Sequence, residues 1–406
     1  MLRRGFFTYP WDLLDEGAAD AVRFMAERAH CNAIALNAIY HHARLLRPRA
    51  RGAKTLQLTG ALAAFEPQVA HYPDELMPMP DMTLARANVL AQARDACRAH
   101  GLDFGLWVVA LHNSTLGTRH PELCMQNCFG DVYTYALCPA QPQVQAYVCA
   151  LVDDLCAQFK PQRIILEAVG YLSLRHWVHH ELVMVEWDET LELLTALCFC
   201  SACLRACAEA GLDARVLQDR VRELAERLLN EERCALPLDF RHGETAALLA
   251  EISGLVDFLQ RRSQNVTRLV AEVAEIAHAH STVLEVIPAS FHRPSSRAWT
   301  EGASLADLGN AADGLLIPAY FSDPAQVAAD LSWAAARARP ISAGLNACEP
   351  NANSATQLSA LAAAAQAAGA QGLYYYNYGM LTARRLEWIA QANVSLLARG
   401  KADAAI

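Results

Sequence analysis

The segment Cys198–Cys203 holds three cysteines in a C-x-C-x-x-C spacing. Three soft sulfur ligands so close together are typical of a structural zinc site, which requires four ligands in a roughly tetrahedral arrangement. The residues leave the fourth ligand open: Cys207 could supply it from the next helical turn, Cys138 from a distant loop, and Cys124 or Cys128 less readily. The alternative is a helix that begins with three cysteines and binds no metal.

A carboxylate, Glu167, follows the short apolar run Ile164–Leu166. A run that is rich in β-branched residues and apolar throughout is typical of a parallel strand covered by helices on both faces. A charge near a core costs several kcal/mol unless it is paired or faces a cleft. In a parallel barrel the active site lies at the C-terminal ends of the strands. We therefore interpret Glu167 as an active-site carboxylate, with a surface glutamate just past the strand as the alternative.

The stretch after Glu167 is rich in histidine and tryptophan. His176 and His180 are spaced i, i+4, which is a metal-ligand spacing on a helix, but the HExxH motif is absent. We interpret this stretch as a loop in which Trp177, His180 and Glu181 contact the substrate. The alternatives are a metal site and a plain surface.

Eight short apolar runs predict the strands that position these residues. Segments with apolar residues at helical spacing separate the runs and predict helices. The runs are Gly5–Tyr9, Asn32–Ile39, Phe104–Leu111, Arg163–Val169, Thr282–Ile287, Gly314–Tyr320, Ile341–Asn346 and Gly372–Tyr376. Strand–helix units in series predict an α/β fold, a (β/α)8 TIM barrel. We expect one domain over residues 1–406, with a long helical insertion after strand 4, at residues 170–280, that carries the cysteine cluster. A doubly wound open sheet is the alternative, but no GxGxxG follows the first strand.

The strand ends of such a barrel would bring aromatic and neutral hydrogen-bonding side chains to one cleft, and sugars suit such a surface. The candidate substrate-binding residues there are Asp12, Tyr40, His41, His112, Asn113, Tyr320, Asn346, Tyr376 and Asn377. Some of these residues could have a structural role in place of substrate binding. Asp12 could cap a helix, and one of His41 and His42 would point outward if the strand continues. Glu285 lies mid-strand, so it is either paired inside the barrel or a second catalytic carboxylate.

Two segments together resemble glycoside hydrolase family 42. Its β-galactosidases carry a C-[YF]-C-x-x-C segment after the fourth strand and an upstream Cys-Pro-Asn-x-Pro segment, and Cys198–Cys203 and Cys138–Pro142 stand here in the same order. The resemblance covers about residues 100–210 and the barrel layout. It implies a structural zinc on Cys138, Cys198, Cys200 and Cys203, and an acid/base carboxylate matching Glu167.

The chain departs from this family at several positions. The residue before the acid is Leu166, where the family has Asn, and about thirty residues separate Glu167 from the cysteines, where the family has far fewer. The family's second carboxylate ends strand seven, and the nearest match here is Glu349, which lies in the following loop. These departures indicate a distant relative and leave the substrate open.

A glycoside hydrolase acting on a small glycoside or oligosaccharide is our leading hypothesis. Glu167 would be the general acid and Glu349 the nucleophile or base, with Glu285 as the alternative second carboxylate. Glycoside hydrolysis requires at least two carboxylates. An apolar wall such as Trp177 would keep one carboxyl protonated. One alternative is a barrel that binds a carbohydrate or metabolite without hydrolysing it. Another is an isomerase or lyase that uses His112 as its base together with Glu167.

Composition narrows the class of protein. The 406 residues are 53% hydrophobic and 19% charged, as in a globular protein with a large core. The net charge of −9 argues against a nucleic-acid partner. The sequence shows neither a signal peptide nor a long apolar span, so we expect 13 mostly reduced cysteines, a cytoplasmic location and no membrane partner. We expect no organic cofactor, and the oligomeric state stays open.

Overall fold

The computed structural model describes residues 2–72, 76–175, 182–185, 187–231, 248–249 and 251–403. Three of the predicted substrate-binding residues, Trp177, His180 and Glu181, lie outside the described residues.

Eight parallel strands form a closed barrel, which confirms the predicted fold class. In chain order they are β1 Arg3–Thr8, β2 Ala33–Tyr40, β3 Asp103–Val109, β4 Arg163–Glu167, β5 Val283–Val286, β6 Gly314–Pro318, β7 Ile341–Asn346 and β8 Gly372–Tyr376. Each strand pairs in parallel with the next, and β8 pairs with β1 to close the sheet. The C-terminal ends of all eight strands therefore open at one face.

The barrel strands are buried on both faces of the pleat, which is why they appear in the sequence as continuous apolar runs. All eight residues of β2 and all five of β6 are buried. A strand that faces the barrel interior on one side and the helical layer on the other has no solvent-exposed positions. The predicted strand bounds are accordingly within about two residues of the observed ones.

Helices surround the barrel. Their bounds are Pro10–Glu16, Ala18–Arg23, Met82–Arg86, Val89–His100, Ser114–Arg119, Pro142–Phe159, Leu255–Ala279, Leu305–Ala311, Pro324–Ala335, Ala355–Ala367 and Ala383–Asp403, with a π-helical turn at Phe24–Arg28. Several begin with the residues expected at helix starts. Pro142 and Pro324 occupy first turns, and the side chains of Asp323 and Ser354 accept backbone N–H groups as N-caps.

Shorter strands build the rim at the C-terminal face. Ala43–Leu46 and Thr55–Leu58 form one antiparallel hairpin after β2, and Leu62–Ala63 pairs with the end of β2. Cys124–Gln126 and Val132–Leu137 form a second hairpin after β3.

The insertion after β4 contains the helices Glu189–Ala196, Ser201–Glu209 and Ala214–Glu231. The chain is extended at Leu197–Cys200, between the first two of these helices. The backbone N–H of Phe199 there donates to the carbonyl of Gln126, 2.7 Å away in the second hairpin. The helices of the insertion enclose their own apolar cluster, which includes Leu194, Phe199 and Val221. The extent of the insertion as part of one domain stays a prediction.

No single helix of the described ranges is long and apolar enough to cross a membrane, although the bent pair Glu189–Ala196 and Ser201–Glu209 meets that test by length and composition when taken together.

Candidate active site

Glu167 is the last residue of β4, and its carboxylate is held by β3. Trp107 Nε1 donates a hydrogen bond of 2.6 Å to Glu167 Oε2. Burial raises the pKa of Glu167 to about 7; the nearby Glu301 charge adds to this rise, while the Trp107 hydrogen bond opposes it. The carboxyl group is therefore partly protonated near neutral pH, which is the condition for a general acid.

A cavity of about 270 Å³ opens in front of Glu167 at the C-terminal face. Its wall includes His41 and His42 after β2, His112 after β3, and Ser290 and Phe291 after β5. Among the described residues that line this cavity, Glu167 is the one carboxylate. The cavity thus offers imidazole and aromatic groups to a ligand beside a single acid.

A cluster of aromatic side chains lies beside this cavity at the ends of β1, β2, β3 and β8. Tyr376 shares hydrogen bonds with the hydroxyls of Tyr9 at 2.8 Å and Tyr40 at 3.3 Å. Trp107 packs against Tyr9, Tyr40 and Tyr376, with ring centroids 5.4 to 6.1 Å apart. Phe7 contacts Trp107 edge-on, with the two ring centroids 5.1 Å apart. This packing fixes the orientation of the indole that binds Glu167.

A second and larger cavity, of about 540 Å³, adjoins the first, since Ser290 and Phe291 line both. The insertion contributes Trp187 and Glu192 to its wall, and the loop after β5 contributes Arg293. Trp187 Nε1 donates to the Glu192 carboxylate. The guanidinium of Arg293 lies 4.8 Å from the ring centroid of Tyr320. This cavity combines flat aromatic and charged groups, as a polar ligand requires.

The loop at Ser290–His292 contributes to the walls of both cavities. Its backbone is bound by Glu301, a carboxylate that is 2% exposed. Its Oε2 accepts the backbone N–H of Ser290 at 2.9 Å, and its Oε1 accepts those of Phe291 and His292 at 3.0 Å. His292 Nδ1 also lies 2.8 Å from Oε1. Because these donors surround both of its oxygens, Glu301 acts as a positioning residue for the loop.

The two other predicted catalytic carboxylates do not line the cavity of Glu167. Glu285 is 1% exposed and lies in the N-terminal half of the barrel, where it accepts from Arg3 at 2.7 Å and Ser342 at 2.8 Å and lies 3.6 Å from Arg163. Arg3 and Arg163 are the first residues of their strands, so this network closes the end of the barrel opposite Glu167. Glu349 is exposed in the turn after β7.

Three of the predicted substrate-binding residues have structural contacts. Asp12 is 2% exposed and pairs with Arg47 at 2.7 Å; burial raises the pKa of Asp12 to about 6. Asn113 caps the helix Ser114–Arg119 through Leu116 N–H. Asn377 is 1% exposed and accepts the N–H of Gly379. These contacts stabilise the loops around the cleft.

The other predicted residues lie nearer the cavities. His41 and His112 line the smaller one, while Tyr40, Tyr320 and Tyr376 belong to the neighbouring aromatic contacts. Asn346 ends β7 and accepts the N–H of Cys348 at 3.2 Å.

Sequence reasoning missed Trp107, Ser290, Glu192 and Glu301. Trp107 lies within a predicted strand, and its inward orientation could have been inferred from the strand period had the register been known. Glu192 and Glu301 lie on helical segments far from any strand end, so no local pattern marks them.

Four buried cysteines come together beside the barrel: Cys138, Cys198, Cys200 and Cys203. Cys138 Sγ lies 3.6 Å from those of Cys200 and Cys203 and 3.7 Å from that of Cys198, and all four sulfurs lie within 4.8 Å of one another. The cluster joins the second hairpin to the insertion. Among the candidates for a fourth ligand, the geometry selects Cys138, whereas Cys207 packs in the apolar cluster of the insertion.

No protein-family model matches the sequence, and no curated protein matches it. The structure is similar to solved TIM-barrel glycoside hydrolases. The glycoside hydrolase domain of PgaB (BpsB) from Bordetella bronchiseptica aligns over 98% of both chains, with a TM-score of 0.60 and 11% identity. The β-galactosidase from the psychrophilic Marinomonas ef1 aligns over 99% of this chain, with a TM-score of 0.58 and 12% identity. The α-L-fucosidase isoenzyme 2 from Paenibacillus thiaminolyticus aligns over 98%, with a TM-score of 0.57 and 12% identity.

The chain spans 60% of that β-galactosidase and 50% of that fucosidase. At 11–12% identity these likenesses establish the barrel fold, and the activity must be argued from the site.

Proposed function

We propose that the chain is a glycoside hydrolase in which Glu167 is the general acid. The observation that carries this proposal is the environment of Glu167: the C-terminal end of β4, an adjoining cavity, and burial that raises its pKa to about 7. A glycosidic oxygen is a poor leaving group and must be protonated as the bond breaks. A carboxyl that is still protonated near neutral pH can supply that proton.

The substrate would be a small glycoside or oligosaccharide. Aromatic side chains at the strand ends, among them Tyr376 and Tyr320, suit the faces of sugar rings, and the two adjoining cavities have room for more than one ring. Trp107 would orient the acid, because its N–H fixes one carboxylate oxygen and leaves the other for the substrate.

The identity of the second carboxylate is part of the proposal. In glycoside hydrolase family 42 the second carboxylate ends the seventh strand. Glu349 follows β7 here, but its side chain is exposed. Glu192 is a candidate from the structure, because it lines the larger cavity beside Trp187. The network of Arg3, Arg163 and Ser342 around Glu285 supports a structural role for that residue.

The cysteine cluster fits a structural zinc ion. Four sulfurs about 2.3 Å from a central zinc lie about 3.8 Å apart, and the distances from Cys138 Sγ are 3.6 to 3.7 Å. Cys138, Cys198, Cys200 and Cys203 would hold the ion and tie the second hairpin to the insertion. Four thiolates leave no open coordination position, so this zinc would stabilise the fold and take no part in the reaction.

The surroundings of the cluster support a negative charge on it. Arg262 is 2% exposed, and its guanidinium lies 4.4 Å from the ring centroid of Tyr171, whose hydroxyl lies 3.8 Å from Cys203 Sγ. No carboxylate of the described residues forms an ion pair with Arg262. A zinc ion with four thiolates carries a net charge of about −2, which would balance a buried guanidinium. The cluster, the barrel and Glu167 together support a distant relationship to family 42.

A barrel that binds a carbohydrate without hydrolysing it is the second candidate. The observation that favours it is the single carboxylate among the described residues lining the Glu167 cavity. One experiment separates the two functions. The purified protein is incubated with a panel of aryl glycosides and oligosaccharides, and sugar release and calorimetric binding are both measured. Turnover that Glu167→Gln abolishes supports hydrolysis, whereas binding with no turnover over days supports the second candidate.

A further inference from the structure

Three histidines meet in the smaller cavity, which Glu167 also lines. His41 and His42 follow β2, and His112 follows β3. One ring nitrogen from each of the three lies within 4.8 Å of the others. Three imidazoles this close, with a carboxylate in the same cavity, are a set of groups that a transition-metal ion can bind.

The end of β2 explains why two consecutive histidines can face one cavity. A continuing strand would direct His41 and His42 to opposite sides of the sheet. The strand ends at Tyr40, however, and the chain turns before the hairpin that begins at Ala43. Beyond the strand the alternation no longer applies, so both rings reach the cavity.

Hydrogen bonds to the backbone and to a hydroxyl hold two of the rings. His41 Nδ1 lies 2.7 Å from the carbonyl oxygen of His42, which can only accept, so Nδ1 donates this hydrogen bond and Nε2 is the nitrogen that would bind a metal. His42 Nδ1 lies 3.5 Å from Ser114 Oγ. A histidine that ligates a metal usually binds a carbonyl or carboxylate through its other nitrogen in this way, which fixes its tautomer.

We propose that His41, His42 and His112 bind one divalent transition-metal ion, of which zinc is the first candidate. Three neutral imidazoles suit zinc, cobalt, nickel or copper and not magnesium or calcium, which prefer oxygen ligands. The described residues supply three protein ligands, the number that catalytic zinc sites combine with one further group. That group would be a water or a substrate oxygen, in the cavity that contains Glu167.

The site differs in kind from the cysteine cluster. The cysteines offer four sulfur ligands and are all buried, whereas His41 and His42 are partly exposed in a cavity. Binding one ion requires a small change in the histidines: the rings of His41 and His112 stack at 4.0 Å with an interplanar angle of 12°, and lone pairs in parallel planes do not converge. A rotation of one ring that brings the three ligand nitrogens to about 3.3 Å from one another gives the spacing found in a tetrahedral zinc site.

The proposal goes beyond the glycosidase assignment and does not depend on it, because the test needs no substrate. The protein is purified with zinc supplied, dialysed to remove loosely held metal, and its zinc content measured. Wild type, the double variant His41→Ala/His112→Ala and the control His278→Ala are compared. His278 pairs with Asp313 and is more than half exposed, outside both cavities.

We expect the double variant to bind one zinc equivalent fewer than wild type and His278→Ala, at an unchanged circular dichroism spectrum. Equal zinc content in all three proteins overturns the proposal. Cobalt substitution provides a second measurement that does not rely on the variants. A histidine site gives weak visible bands, whereas the cysteine cluster gives strong sulfur-to-metal charge-transfer bands. Titration of wild type with cobalt that yields the charge-transfer bands alone also counts against the histidine site.

Discussion

The indole nitrogen of Trp107 lies 2.6 Å from a carboxylate oxygen of Glu167, and this hydrogen bond joins the interior of β3 to the end of β4. It stabilises the ionised form of a carboxyl that burial otherwise drives toward the protonated form. The pKa of about 7 therefore results from two opposing effects, and each can be changed separately by mutation.

Replacing Glu167 by Gln tests the acid directly. If the proposed hydrolysis is correct, we expect kcat to fall by about 10²- to 10⁴-fold, which is the usual contribution of general acid–base catalysis. The loss should be greater for an oligosaccharide than for an aryl glycoside, because a phenolate needs less help from an acid as it leaves. The measurement is kcat on both substrates.

The control for this variant is Glu387→Gln, which removes an exposed carboxylate on the helix Ala383–Asp403. It should keep wild-type kcat. Near-normal turnover of Glu167→Gln on the oligosaccharide would remove Glu167 from the mechanism.

Replacing Trp107 by Phe tests the hydrogen bond. Loss of a donor to the carboxylate favours the protonated form, so the pKa of Glu167 should rise further, by about one unit. The acid form persists below this pKa and is lost as pH rises through it, so the alkaline limb of kcat/KM should move to higher pH. Carboxyl carbon NMR titration of Glu167 reports the same shift without a substrate. A downward or absent shift in both measurements would contradict this assignment.

Replacing Glu285 by Gln tests its structural role. The carboxylate is 1% exposed and balances Arg3 and Arg163, so its neutralisation leaves Arg3 without its ion pair and Arg163 with Asp103 as its remaining carboxylate partner. Breaking a buried ion pair costs about 3 kcal/mol. We expect the free energy of unfolding in urea to fall by about this amount, while Glu387→Gln changes it by less than about 0.5 kcal/mol. Equal stability of the two variants would show that the network contributes little.

Replacing Cys200 by Ser tests the cysteine cluster. Zinc bound by four thiolates contributes directly to folding free energy. The variant should lose one zinc equivalent and unfold at a lower temperature than wild type. The matched control, Cys149→Ser, changes a half-buried cysteine on the helix Pro142–Phe159, outside the cluster. A metal-free wild-type protein whose melting curve is unaffected by chelators would rule out the structural zinc.

Two glycines provide a matched test of packing at the C-terminal face. A Cβ at Gly379 would lie 1.8 Å from Asp12 Oδ2, whereas a Cβ at Gly52 meets nothing within 4 Å. Asp12 is buried and paired with Arg47, so it has little room to move. We expect Gly379→Ala to lower the free energy of unfolding by about 1–3 kcal/mol and Gly52→Ala to have little effect. Similar melting temperatures for the two variants would contradict the close packing of Asp12 on Gly379.

Most of the barrel could be predicted from the sequence, because strands buried on both faces leave an unbroken apolar signature. The bounds of β7 and β8 were predicted to the residue. Glu167 was predicted at the end of β4 for the same reason, since a charge that ends an apolar run is conspicuous. Three cysteines of the cluster were found because soft ligands at short spacing are rare, whereas Cys138 was indicated by the resemblance to family 42.

The remainder of the site depends on contacts between distant segments, which local patterns do not record. Nothing near Trp107 in the sequence indicates that its indole meets Glu167, sixty residues later. Glu285 and Asp12 share the residue types of catalytic acids, and only the positions of Arg3, Arg163 and Arg47 reveal their ion pairs. The pairing of His41 with His42 in one cavity required knowledge of where β2 ends.

The carboxylate of Glu301 receives three successive backbone amides, from Ser290 to His292, in the loop that separates the two cavities. Ordering a free loop on ligand binding costs about 1–2 kcal/mol of conformational entropy per residue. The hydrogen bonds to Glu301 order this loop when the protein folds, so the cost is not incurred again when a ligand binds. We conclude that one buried carboxylate lowers the entropic cost of binding on this side of the cleft, because the loop is ordered before a ligand arrives.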